Sequence, residues 1–324
     1  MSRRLVVLAF VVLGFFGASA YAQNAVWPQR AVKIVVPAAA GSAPDVLVRM
    51  YGQKLSEMWN QTVFIENVVG AAGNLGTDRV AKAAGDGYTL LFNTQAPIAI
   101  NPILERGRLP YDPQKDLAAV SLAVKLPNTL VVHPTVPAKN IAELVALAKN
   151  DPLKLRYGTP GTGTSGHFSA ELLILLANIK MTSVPYKSSA QMTTDGISGQ
   201  FELMFHNTAV VLPFVKEGRL RALAVTSAKR LALLPDVPSI GETIPGYEMT
   251  TWFGFMAPSS TPTNIIQQVS EAVAKINAMP STRAFLVAQA TEPVGSTPEE
   301  YTKFIASEVV RWGDVIVKAN IRAD

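Results

Sequence analysis

Cysteine is absent from all 324 residues. That excludes disulfides, thiolate metal sites and a thiol nucleophile. Histidine is scarce: His133, His167 and His206 lie far apart and form no ligand pair at helical spacing. Carboxylates do not cluster either, so neither a metal nor a cofactor is expected. No basic run exceeds two residues and none alternates with aromatics, so nucleic acid is not an expected partner. The formal charge is +5, to which Arg3 and Arg4 contribute two. The mild positive field that remains favours the approach of small anions. Long apolar runs are missing too, since no segment reaches the ~20 residues that a membrane helix needs.

The N-terminus sets the expected compartment. Ser2-Arg3-Arg4 precedes an apolar run of 14 residues, Leu5–Ala18, and Ala20-Tyr21-Ala22 has the A-x-A form read by signal peptidase. Residues 1–22 are expected to be a signal peptide cleaved near Ala22, leaving a mature protein that starts near Gln23 in the periplasm. No cysteine follows to carry a lipid anchor. Roughly 300 residues remain, enough for one large or two medium α/β domains.

Strand-like and helix-like segments alternate, which predicts α/β layers with mostly parallel sheets. Strands are expected at 31–37, 62–68, 88–93, 129–134, 153–158, 181–186, 200–207 and 220–227. Helices are expected after Asp45, over 74–84, after an Asn140/Glu143 capping pair, and over 167–179. Two more start at Thr261-Pro262 and at Thr297-Pro298-Glu299-Glu300. The apolar stretch 116–132 would carry the chain from a first lobe to a second, and 247–258 would bring it back. The expected division is 23–124 with 250–324 in the first lobe and 125–249 in the second, hinged at the crossings.

GTGTSGH, residues 161–167, matches the spacing G-x-G-x-x-G between a strand and a helix. Such a loop suits an anion, because helix N-termini present free N–H groups. A dinucleotide would also require an acidic residue ~20 positions on. Tyr186, Lys187, Ser188 and Ser189 stand there instead. A serine hydrolase would require G-x-S-x-G, but His167 replaces the second glycine. Pro37–Asp45 repeats the strand, small loop and helix pattern, so two helix N-termini are expected to face one cleft. NTQAP (93–97), PYKSSAQ (185–191) and HNTA (206–209) supply further polar strand ends, where ligands of open α/β sheets bind.

Together the segments WPQRAVKIVVP, VFIENVVGAAGNLGTDRVAKAAGDGYTLLF, LPYDPQKDLAAVSL, LRYGTPGTGTSGHFSAELL, VPYKSSAQ, KEGRLRALAVTSAKRLALLPDVPSI and GSTPEEYTKFIASEVVRWGDVIVKANI resemble one family. This is the Bug/TctC family of extracytoplasmic receptors for tripartite tricarboxylate transporters. The resemblance implies a two-lobed periplasmic binding protein of the Venus-flytrap kind and not an enzyme. Such a receptor captures a small carboxylated solute and delivers it to integral-membrane subunits. It also implies that one carboxylate is held by the loops Ala39–Asp45 and Thr159–Ser165. Three departures bear on specificity. Ser42 stands where a second glycine is usual, Ser188-Ser189 replace Gly-Gly, and His206 replaces an aspartate.

The expected roles are accordingly specific. Backbone amides near Ala40, Gly41 and Ser42, with Gly161 and Gly163, hold the carboxylate, and Ala39 opens the first of these ligand-binding loops. Thr159, Thr164 and Ser165 add hydroxyl donors, and Asp45 caps its helix. Asn93, Thr94, Gln95 and His206 shape the far end, where His206 is expected to donate to the distal group and to be cationic below about pH 6.5. The expected protein is monomeric, with the organic acid and the membrane subunits as its partners. A second class, an extracytoplasmic sensor or adaptor presenting the same solute to a signalling partner, is compatible with the same residues.

Overall fold

The computed structural model describes residues 27–151, 155–159, 161, 164–186, 188–319 and 321. The expected signal peptide and Gly163 lie outside the described residues.

A first parallel set comprises β1 (Val32–Val36), β2 (Val63–Asn67) and β3 (Thr89–Thr94), in the order β2-β1-β3. A second comprises β5 (Arg156–Thr159), β6 (Thr182–Pro185) and β7 (Leu203–Asn207), in the order β7-β5-β6. Between the sets run β4 (Leu117–Val132) and β9 (Thr250–Pro258), antiparallel to each other. β4 is the crossing element. Its first part, Leu117–Pro127, pairs with β9, whereas Asn128–Val132 pairs with β7 and with β8 (Arg221–Val225). A two-residue strand, β10 (Glu292–Pro293), adds to the edge of β4.

Alternation along the strands divides each lobe's core into two layers. Val32, Ile34 and Val36 join Leu90, Phe92, Phe253 and Phe255 under α1 (Ala43–Trp59) and α8 (Thr263–Ala278). Val35, Leu91, Trp252 and Met256 face the other way, toward α2 (Asn74–Ala81) and the C-terminal helix. In the second lobe Leu130, Val132, Leu203 and Phe205 pack with α4 (Ile141–Asn150) and α5 (Ser165–Ala177). Val131 and Met204 sit on the opposite face. That face is covered by α6 (Ser189–Ile197) and α7 (Thr208–Lys216).

The chain also contains the short α3 (Asn101–Leu104), α9 (Pro280–Ala288) and the long α10 (Pro298–Lys318). Both expected capping pairs form. Asn140 accepts from the Glu143 amide at 2.9 Å, and Thr297 with Glu300 completes a capping box. α10 reaches both lobes: Tyr301 and Ile305 belong to the first-lobe core, Trp312, Val315 and Ile316 to the second. Gly254 permits its approach, since a Cβ there would collide with the Tyr301 hydroxyl and the Ser121 carbonyl.

Candidate functional site

A cavity of about 630 Å³ brings the lobes together. From the first lobe come Thr94 and Gln95 at the end of β3, Ala71 and Ala72 ahead of α2, and Asn101, Glu105 and Arg108 in and after α3. From the second come Thr164 and Ser165 at the N-terminus of α5, and Thr251 of β9 lies between. Four expected residues are thus gathered: Thr94, Gln95, Thr164 and Ser165. A smaller cavity of about 420 Å³, reached by Lys125, Thr250 and the segments 227–233 and 287–293, contains none of the expected residues.

The α5 end is built for an anion. Thr164 is the N-cap and accepts from the His167 amide at 3.4 Å, while its hydroxyl donates to Gly161 O at 2.8 Å. Thr159 also spends its hydroxyl on Gly161 O, at 3.3 Å, and its side chain is buried. The two threonines therefore shape the loop, and the Ser165 hydroxyl makes no hydrogen bond among the described residues. The first-turn amides of Ser165 and Gly166 have no intrahelical acceptor, and the helix dipole adds about half a positive charge. Gly161, at φ 122°, holds a backbone that a side chain would strain.

The first loop is differently disposed. Asp45 does not occupy the N-cap position, which is Ser42. It lies in the first turn and draws the loop back: Gly41 N–H donates to its Oδ2 at 2.8 Å and Asn67 Nδ2 to its Oδ1 at 2.9 Å. Arg49 closes on the same carboxylate at 2.9 Å. Burial raises the Asp45 pKa, but the hydrogen bonds from Arg49, Gly41 and Asn67 outweigh it and leave it below the ordinary range. Ser42 N–H donates to Ala39 O at 3.2 Å, so the amides of Gly41 and Ser42 are engaged within the loop. Ala39, Ala40 and Gly41 are exposed, and none of the segment from Ala39 to Asp45 lines the cavity.

Two expected far-end residues also sit elsewhere. Asn93 is fully buried and accepts from the Tyr301 hydroxyl at 2.9 Å, because strand alternation turns it toward α10. His206 pairs across the ladder with Thr129 and does not line the cavity. Both its ring nitrogens are shut from solvent and make no well-formed hydrogen bond among the described residues. Burial pushes its pKa down to about 4, against a weak opposing effect of the Asn207 and Ser189 backbone. It is therefore neutral near pH 7, contrary to a cationic role just below pH 6.5.

Nothing in the sequence pointed to Ala71, Ala72, Glu105 or Arg108. The alanines hold φ 46° and 50°, a left-handed turn unusual for residues with a Cβ. Glu105 accepts from Asn74 Nδ2 at 3.1 Å and is tied to the first lobe. Arg108 is exposed and has no ion-pair partner among the described residues. It stands in a loop without periodicity. The one available signal was two arginines flanking Gly107 directly after a short helix.

Residues 47–321 match the family described as the tripartite tricarboxylate transporter family receptor. The chain belongs to that family. Its members are solute-binding receptors, not enzymes. Protein BugT of Bordetella pertussis is 31% identical over 318 residues, covering 98% of this chain and 97% of the relative. Among solved structures, Rpa4515 of R. palustris with adipate superposes at a TM-score of 0.80 with 36% identity, covering 91% of this chain and 99% of that one. MatC of Rhodopseudomonas palustris with bound malate gives 0.75 and 28%, covering 90% and 100%. The architecture is that of a two-lobed periplasmic binding protein.

Proposed function

We propose that this receptor captures a small carboxylate between its lobes in the periplasm and delivers it to the integral-membrane subunits of a tripartite transporter. One observation carries the reading: the α5 N-terminus, with Ser165, and the exposed Arg108 line a single cavity drawn from both lobes. One carboxylate sits on the free amides and Ser165 hydroxyl of α5, and a second anionic group reaches Arg108. Structural relatives solved with adipate and with bound malate, both dicarboxylates, support this class. With residues 23–124 and 250–324 as one lobe and 125–249 as the other, the end of α10 packing across onto the second, closure turns on β4 and β9. A solute that touches both lobes favours the closed form because only that form makes both sets of contacts.

A thermal-shift screen over mono-, di- and tricarboxylates and aromatic acids tests it. A dicarboxylate at about 100 times its Kd should add about 2.7 kcal/mol, or several degrees in Tm, without turnover. No shift with any acid overturns the proposal.

A further inference from the structure

We propose that Glu308 fixes the Gln95 amide with its carbonyl oxygen toward the cleft, which selects carboxylates bearing a hydrogen-bond donor, a hydroxyl or an ammonium. The inference deepens the receptor function proposed above and rests on it. Glu308 and Gln95 are each 4% exposed. Glu308 Oε2 accepts from Trp252 Nε1 at 2.7 Å, Trp312 Nε1 at 2.9 Å and Gln95 Nε2 at 3.3 Å, and Arg311 approaches Oε1 at 3.4 Å.

An indole N–H only donates and a carboxylate only accepts. The two tryptophans, one on β9 and one on α10, thus hold Glu308 as an acceptor aimed at Gln95. An amide has one donating and one accepting edge, and only its NH₂ satisfies a carboxylate. Reversing it would set two oxygens against each other in a buried site, a costly arrangement. Oε1 is left as the edge that Gln95, itself a cavity residue, offers to the solute. An acceptor there binds a hydroxyl or ammonium and leaves a bare methylene or a 2-oxo group without a partner. Glu308 touches no solute in this scheme; it is a positioning residue.

Calorimetry on the mature protein with matched dicarboxylates of four to six carbons tests this, each acid taken unsubstituted and with a 2-hydroxy, 2-amino or 2-oxo group. At the best-fitting length, the hydroxy or amino acid should bind at least about tenfold tighter than its unsubstituted partner. The two donor arms then tell hydroxyl from ammonium. Gln95→Met should erase the difference between the substituted and unsubstituted acids, read as the ratio of their affinities in the variant. In Glu308→Gln the two indoles hold the new amide oxygen where Oε2 stood, so the donor preference should persist, whereas Glu308→Met offers no acceptor, frees the Gln95 amide to turn and should lower the preference, a split that loosened packing alone would not produce. Binding of unsubstituted acids with no donor preference overturns this inference alone, as does a preference that survives Gln95→Met. Failure of every carboxylate to bind overturns the receptor function and this inference with it.

Discussion

Among single residues, those visible as site candidates in the sequence were polar groups at strand ends. Thr94, Gln95, Thr164 and Ser165 fell in the cavity because a parallel strand delivers its carboxyl end to the cleft. Asn93 and His206 satisfied the same rule and were turned elsewhere by alternation and ladder register, which neighbouring strands set. Arg108 → Gln should lower dicarboxylate affinity by about tenfold to a hundredfold, the value of a charge-assisted hydrogen bond, and leave monocarboxylates unchanged by calorimetry. His206 carries a pH signature. Its folded pKa is near 4 against an ordinary 6.5, so the unfolded chain binds the extra proton as pH falls. Stability from keeping it neutral is present above about pH 6.5 and lost on acidification toward pH 4. His206→Asn should flatten that limb of the urea-midpoint curve; an unchanged slope would contradict the buried neutral ring.

Elements were legible where period and caps agreed. β1 and β3 are short apolar runs, α4 and α10 carry a capping pair, and each formed as expected. α7 did not announce itself: Pro213 lies inside it, a residue that ordinarily ends a helix. α6 is short and polar, with Gly196 near its end. Removing the cap of α10 with Thr297→Ala should cost about 1 kcal/mol in denaturant unfolding. The left-handed Ala71-Ala72 turn gives a sharper contrast. Ala72→Val should destabilise by about 1–2 kcal/mol, whereas Ala72→Gly should cost little or stabilise, because glycine accepts positive φ without a Cβ penalty.

For the whole molecule, two strand sets joined by long apolar stretches were foreseeable from the order of segments. The closure of α10 over both lobes was not, because a helix's periodicity shows which face is buried and not what buries it. Trp312 packs edge-on to Phe168 of α5, with ring centroids 4.9 Å apart. Trp312→Ala should therefore cost about 3–5 kcal/mol by cavity formation and loosen the lobes against each other. Small-angle scattering of the unliganded variant should show a larger radius of gyration than wild type; equal radii would mean that α10 does not restrain opening.

The four tryptophans divide into two populations. Trp27 and Trp59 lie edge to face, centroids 4.9 Å apart, in the first lobe. Trp252 and Trp312 both donate to the carboxylate that also holds Gln95. Indole emission responds to nearby charge and hydrogen bonding, so any solute that displaces Gln95 alters the light from the second pair while the first serves as an internal constant. The unlabelled receptor is thereby its own optical gauge of occupancy, and with Trp252 or Trp312 changed to Phe the gauge should lose range.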